Sequence, residues 1–196
     1  MHDSWETVLW TLTKGAERLN LNLQHIAIGG SSAGGNLAAV LTQRAALRSD
    51  DLFRNFAFKS QLLIVPVTDN TATRESSSSY RSCEFTPALP PEKMLWYRRH
   101  YLPNEIDWTS PEASPLLADA ALFSKLPPAL ILVGELDILR WEGEEYARKL
   151  IAAGIEAEVH LMKGMPHPFL AMDGVLDEGK RAITLLCESL NKTFSH

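Results

Sequence analysis

A serine in a glycine-rich turn is the first residue of this sequence that could do chemistry. Residues 30–34 read GSSAG, a G-x-S-x-G pattern placed directly after an apolar predicted strand and directly before a predicted helix. In that context the turn is strained and lifts the oxygen of its central serine, Ser32, above the carboxyl end of a sheet. Such a turn tolerates only small neighbours, and Gly30, Gly34 and Gly35 supply them. Ser32 is therefore the predicted nucleophile.

A serine needs a base, and the base needs an acid that orients it. His167 lies in the loop Gly164–Phe169 after the fourth predicted strand, and Asp137 follows the third. Their order along the chain, serine then acid then histidine, is the order found when the nucleophile sits on this kind of turn. Asp69 and Glu135 also follow strands and remain alternative acids. We predict Asp137 as the acid and His167 as the base.

The backbone at the start of the following helix supplies a candidate oxyanion donor. The N–H of Ala33 directly follows the nucleophile and lies at a helix N-terminus, where partial positive charge favours an anion. A phosphate-binding turn is the competing interpretation, but residues 29–35 lack both the G-x-G-x-x-G register and a P-loop lysine. No H-E-x-x-H pattern or cluster of metal-ligating residues is present, so we expect neither a metal nor another cofactor.

Composition limits the class of protein. The 196 residues are 45% hydrophobic and 22% charged, which is typical of a folded globular chain. The net charge of −5 argues against a general nucleic-acid binder. No apolar run approaches the roughly 20 residues of a membrane span. The first residues lack the layout of a signal peptide, so the expected location is the cytoplasm.

Apolar runs alternate with helical patterns along the chain. Three runs are apolar on both faces, as in buried parallel strands, and a fourth alternates as in a strand nearer an edge. These four predicted strands are His25–Gly29, Gln61–Val67, Pro128–Gly134 and Glu156–Leu161. Helices are predicted around them at Asp3–Leu19, Asn36–Arg48 and Glu142–Ala153, with a last one near the C-terminus. The pattern predicts an α/β fold with a mainly parallel sheet flanked by helices, in a single domain over residues 1–196.

The stretch from about residue 70 to residue 114 is less regular. Its serine run, residues 76–79, is predicted to be a solvated loop. Pro91 could begin a short aromatic-rich helix, Glu92–Tyr101. An insertion of this kind between strands often lines a pocket. The alternative is that its aromatic side chains pack into the hydrophobic core.

These motifs together resemble the hormone-sensitive-lipase-like branch of the α/β-hydrolase superfamily, which includes the arylacetamide deacetylase-like carboxylesterases. The resemblance rests on four segments that match the family's motifs: GSSAGGNLA at residues 30–38, LPP at 126–128, DILRWEGEEYA at 137–147 and HPF at 167–169. It implies that Ser32, His167 and Asp137 form a triad that cleaves carboxylic esters of small molecules, with short-chain acyl or aryl esters as the substrate class. Ser31 and Trp141 each stand where the family has an acidic residue.

One family motif is missing. The H-G-G-G oxyanion loop should precede the serine turn by many tens of residues, whereas 31 residues precede Ser32 and none of them form it. We therefore expect an N-terminally truncated form of the fold, whose strand near His25–Gly29 is an open sheet edge. Either copies associate through this edge, or the chain depends on a separate N-terminal piece. Two alternatives to an active esterase stay open. One is a catalytically silent binding module, as in the family's gibberellin-receptor branch, and the other is an inactive fragment of a longer esterase.

Overall fold

A computed structural model describes residues 1–195, all of the chain except His196. In chain order the main elements are α1 (His2–Trp10), α2 (Ala16–Leu19), β1 (Ile28–Ser31), α3 (Ala33–Ala46), β2 (Gln61–Ile64), α4 (Ser78–Ser82), α5 (Pro91–Tyr101), α6 (Ala120–Phe123), β3 (Ala129–Gly134), α7 (Arg140–Ala152), β4 (Ala157–Met162) and α8 (Asp177–Phe194). A π-helical turn, Thr11–Gly15, joins α1 to α2, so the predicted first helix is one nearly continuous segment. Short 3₁₀ turns lie at Glu105–Thr109, Pro115–Leu117 and Phe169–Met172.

The described residues form one parallel sheet in the order β1-β2-β3-β4. Each crossover carries at least one helix, as parallel neighbours require. The α/β class and the mainly parallel sheet predicted from the sequence are confirmed. All four strands end at the same edge of the sheet, and each of the three predicted catalytic residues follows one of them.

Helices cover both faces of the sheet. Leu63 and Ile131 face α3 and α7, where Tyr146 and Leu150 are fully enclosed. The alternate strand residues face the opposite way and pack against α8. Side chains alternate along a strand, so an all-apolar strand requires a covered face on each side.

Two predicted strands had boundaries that were wrong by two residues or more. The first strand begins three residues later than expected, because His25 closes a turn by donating to the carbonyl of Asn22, and it continues through both glycines to Ser31. The second strand ends at Ile64 rather than Val67, because Val65 adopts a positive φ of 41°. That conformation is rare for a β-branched residue, and it turns the chain away at the carboxyl edge of the sheet.

The serine run is only half solvated, because Ser76 and Ser78 are exposed and the other two serines are buried. Ser77 and Ser79 have no exposed surface. Ser77 caps α4 by accepting from the N–H of Tyr80, and the hydroxyl of Ser79 donates to the carbonyl of Ile138. The run therefore supports the loop that carries Asp137.

No helix within residues 1–195 has both the length and the apolar character needed to cross a bilayer.

Candidate active site

Ser32 lies in a strained turn between β1 and α3. Its φ of 56° and ψ of −116° are unusual for a residue with a side chain. Its N–H donates to the carbonyl of Ile64 at the end of β2, and its carbonyl accepts from Asn36 in the first turn of α3. These backbone hydrogen bonds hold the conformation and leave the Ser32 hydroxyl pointing away from the sheet edge.

The glycines around Ser32 are not equally required. A Cβ on Gly30 would come within 2.3 Å of the backbone of Gly34, and one on Gly35 within 3.0 Å of Pro66. A Cβ on Gly34 would meet nothing within 4 Å. The expectation of forced small neighbours therefore holds at Gly30 and Gly35 and was wrong at Gly34.

His167 is brought to Ser32 by a loop that is tied to the loop of the acid. The N–H of Leu136 donates to the carbonyl of Met165, and Gly164 takes a φ of 70° that only glycine adopts easily. The imidazole Nε2 of His167 lies 2.7 Å from the Oγ of Ser32. That separation is a hydrogen-bond distance between a hydroxyl and a ring nitrogen.

Asp137 completes a chain of hydrogen bonds. Its Oδ2 lies 2.8 Å from Nδ1 of His167, and its Oδ1 accepts from the N–H of Leu139 at 3.0 Å. The Asp137 side chain is 1% exposed and that of His167 is 12% exposed. A carboxylate can only accept, so Nδ1 carries the proton and Nε2 is left to accept the proton of the Ser32 hydroxyl.

The two alternative acids are held in other contacts. Asp69 accepts from the backbone and the hydroxyl of Thr71 within its own turn. Glu135 accepts from the N–H of Gly164 at 2.7 Å, which fixes the loop before His167 without touching the imidazole. Of the three candidates that the sequence left open, the structure brings Asp137 to His167.

Ala33 is the first residue of α3, and its N–H has no acceptor within residues 1–195. The first N–H groups of a helix lack partners inside the helix and carry its partial positive charge. This donor lies next to Ser32, where charge would develop on a substrate oxygen.

A cavity of about 590 Å³ opens at Ser32 and His167. Its walls are mostly apolar, and α5 provides one side through Met94, Tyr97 and Tyr101. This volume suits a small organic ligand. Within residues 1–195, no group of three or more His, Cys, Asp or Glu side chains is arranged to hold a metal ion.

Two buried charged residues near the site were missed by sequence reasoning. Glu142 on α7 is completely enclosed, and its Oε1 accepts from the N–H groups of Thr68 and Asp69. Burial raises the pKa of Glu142 well above its ordinary value, although both hydrogen bonds oppose that shift. Arg98 on α5 is 4% exposed. A charged residue within an amphipathic pattern usually faces solvent, so the sequence held no signal for either.

Comparison with known proteins places the chain among hydrolases. The family model described as alpha/beta hydrolase fold matches residues 1–171. An AB hydrolase superfamily protein of Schizosaccharomyces pombe is 46% identical over 179 residues, which are 91% of this chain and 51% of that protein. An ethyl acetate hydrolase of Pseudomonas putida is 32% identical over 190 residues, 97% of this chain and 56% of that enzyme.

A solved structure agrees with these relatives. The thermostable carboxylesterase EstE1, cloned from a metagenomic library, superposes with a TM-score of 0.86 at 35% identity. The superposition covers 97% of this chain and 62% of that enzyme. The chain thus spans about half the length of the curated relatives that it matches.

Proposed function

Because this chain belongs to the α/β-hydrolase family, we propose that it is a serine esterase in which Ser32, His167 and Asp137 act as a catalytic triad. The observation that carries the proposal is the continuous chain of hydrogen bonds from Asp137 through His167 to Ser32, with separations of 2.8 and 2.7 Å. A nucleophile, a base and an orienting acid in direct contact are the parts that acyl transfer requires.

The first half of the reaction forms an acyl-enzyme. The Oγ of Ser32 attacks the ester carbonyl carbon while its proton passes to Nε2 of His167, giving a tetrahedral oxyanion and an imidazolium. Asp137 stabilises the imidazolium through Nδ1–H, and the N–H of Ala33 donates to the oxyanion. The C–O bond to the alcohol then breaks, and His167 returns the proton to the leaving oxygen.

The second half releases the acid. Water takes the place of the alcohol and gives a proton to Nε2 as its oxygen bonds to the acyl carbon. The second tetrahedral intermediate collapses, the Ser32–acyl bond breaks, and the proton returns from His167 to the Oγ of Ser32. The ester and one water are converted to the carboxylic acid and the alcohol.

Short-chain acyl or aryl esters are the proposed substrate class. The apolar wall of the cavity suits small alkyl and aromatic groups, and the volume of about 590 Å³ suits esters of modest size. The name of one relative, ethyl acetate hydrolase, points in the same direction.

The test is hydrolysis of p-nitrophenyl butyrate by the 196-residue chain and two serine variants. Ser32→Ala should lower turnover by about 10⁴-fold or more, because it removes the nucleophile. Ser31→Ala is the matched control, since Ser31 is exposed on the same turn and should tolerate the change. Equal turnover by the parent and Ser32→Ala would refute the proposal and favour a binding module or an inactive fragment.

A further inference from the structure

Arg98 is a buried cation that makes no direct contact with a carboxylate. Its Nη2 donates to the carbonyl of Ala72 and to the hydroxyl of Tyr80, both at 3.1 Å, and both acceptors are neutral. Burial raises the pKa of the Tyr80 phenol above its ordinary value, and this hydrogen-bond acceptor therefore stays uncharged. Arg98 takes part in none of the ion pairs found among residues 1–195. A buried charge of this kind is costly unless something compensates it.

The carboxyl groups nearest to this region are engaged elsewhere. Asp137 holds His167, and Asp69 closes the turn with Thr71. Glu142 accepts from two backbone N–H groups through Oε1, while its Oε2 is enclosed without a hydrogen-bond partner. None of them hydrogen-bonds to Arg98. The protein therefore keeps a guanidinium in its interior without a direct ionic contact, and Glu142 interacts with it only through space.

The guanidinium of Arg98 has unused donors, and the residue lies at the catalytic cavity. Arg98 lines the same cavity as Ser32 and His167. Nε of Arg98 is enclosed without a partner, whereas Nη1 is neither enclosed nor bonded to any acceptor in residues 1–195. The ring of Trp108 packs against the guanidinium, with 5.1 Å between its centroid and the Cζ of Arg98. This contact limits how far the Arg98 side chain can move.

The charges around the cavity have one sign. Lys93, five residues before Arg98 on α5, also lines it, and its ammonium donates to the carbonyl of Ala88 at 2.9 Å. No Asp or Glu of the described residues lines the cavity. The whole chain carries a net charge of −5, so two cations without an acidic partner are a local feature of this pocket.

From this arrangement we propose that Arg98 recognises an anionic group on the substrate, so that the preferred esters carry a carboxylate. The proposal rests on the esterase function proposed above and narrows its substrate class. A guanidinium binds a carboxylate through charge-assisted hydrogen bonds, and it does so strongly where water is excluded. An apolar pocket without Arg98 would instead reject such a substrate, because the carboxylate would lose its hydration without compensation.

Matched ester pairs test the proposal. In one pair, 4-acetoxybenzoate and 4-acetoxybenzamide, the charge lies on the leaving group; in the other, monoethyl glutarate and its neutral amide, it lies on the acyl group. For at least one pair we expect kcat/KM of the anionic ester to exceed that of the neutral one. Arg98→Met should lower this anionic-to-neutral ratio by about tenfold or more, mainly through KM of the anionic ester.

Arg99→Met is the matched control. Arg99 is exposed on the same helix and does not line the cavity, so its removal changes the net charge equally but should leave the ratio unchanged. Arg98→Lys should retain part of the preference. A ratio of one or less for both pairs in the parent, or an equal ratio in the parent and Arg98→Met, would overturn the proposal. The parent ratio decides the question even if Arg98→Met does not fold.

A binding measurement separates this proposal from the esterase function. Calorimetry with the Ser32→Ala chain should show tighter binding of 4-hydroxybenzoate than of 4-hydroxybenzamide, and Arg98→Met in that background should abolish the difference. If the parent cleaves no ester but this difference is found, the esterase function fails and the anion site stands. If the parent cleaves neutral esters without any preference for charge, the anion site fails and the esterase function stands.

Discussion

The carboxylate of Asp137 has one orientation available to it. It is enclosed by protein, its Oδ1 is occupied by the N–H of Leu139, and its Oδ2 faces His167. The serine run behind it holds the same loop through Ser79 and the carbonyl of Ile138. The acid is thus fixed before any substrate binds, which is the condition for holding the imidazole in the productive tautomer.

The identity of the acid is tested by removing one charge at a time. Asp137→Asn should lower kcat on p-nitrophenyl butyrate by about 10³–10⁴-fold, because the amide can hold the imidazole in the wrong tautomer. Glu135→Gln is the control, since Glu135 contacts the loop but not the imidazole. A larger loss in Glu135→Gln than in Asp137→Asn would contradict the assignment.

Glu142 predicts a pH-dependent contribution to stability. Its pKa in the folded chain is raised, so this carboxyl favours the folded state at low pH, and that contribution is lost as pH rises through the folded pKa. Glu142→Gln cannot ionise and keeps an acceptor for Thr68. The Tm difference between Glu142→Gln and the parent should therefore become more positive, by about 2–4 °C, from pH 5 to pH 8.

Glu144→Gln serves as the control for Glu142, because Glu144 lies on the same helix with its side chain 44% exposed. Its Tm difference from the parent should vary little with pH. The Tm difference between Glu142→Gln and the parent could instead stay constant with pH or fall as pH rises. Either result would show that ionisation of Glu142 does not destabilise the folded chain as predicted.

At the scale of elements, the turn between β1 and α3 depends on one close backbone approach. The chain passes so near itself that Gly30 has no room for a Cβ against Gly34. Gly34 itself faces open space. The two glycines therefore differ in what an alanine would do, although the sequence pattern treats them alike.

Gly30→Ala should displace Ser32. We expect a loss of about 1–3 kcal/mol in the free energy of unfolding and at least about a hundredfold loss of turnover, because the backbone of the turn must move. Gly34→Ala should keep or raise stability, by up to about 1 kcal/mol, because alanine is the better helix former. Thermal melts and p-nitrophenyl butyrate assays of both variants decide this. Similar effects of the two substitutions would contradict the steric account.

Local patterns predicted the elements that hold the site better than they predicted its buried polar contacts. The four apolar runs indicated the parallel sheet because burial on both faces leaves a direct trace in residue type. The end of β2 was missed because the positive φ of Val65 comes from its neighbours rather than from its own preference. Ser77, Glu142 and Arg98 were missed because polar residues are expected at the surface, and only tertiary contacts explain their burial.

At the scale of the whole molecule, β1 forms one edge of the sheet within the described residues. Gly29 and Ser31 are exposed along it. A groove of about 380 Å³ beside it is lined largely by apolar side chains, among them Ile26 and Ala27 just before the strand and Phe56 and Phe58. An unprotected parallel edge next to apolar surface favours pairing with another chain. The association expected from the sequence stays a prediction, now placed at Ile28–Ser31.

The isolated 196-residue chain should therefore self-associate as its concentration rises into the high micromolar range. Ala27→Lys places a charge in the groove beside the edge and should shift the equilibrium toward monomer. Val175→Lys, at a position that is 76% exposed and outside the groove, should not. Sedimentation velocity over a dilution series measures both, and a parent chain that is monomeric throughout would contradict the prediction.

The central claim is that His167 and Asp137 activate Ser32 as a nucleophile, and covalent trapping tests it most directly. A fluorophosphonate reacts with an activated serine by losing fluoride, so intact mass should show one adduct per chain, and peptide mapping should place it on Ser32. Labelling should disappear in Ser32→Ala, persist in Ser31→Ala and slow by at least about a hundredfold in His167→Ala. An adduct on another residue, or equal labelling of the parent and Ser32→Ala, would contradict the account.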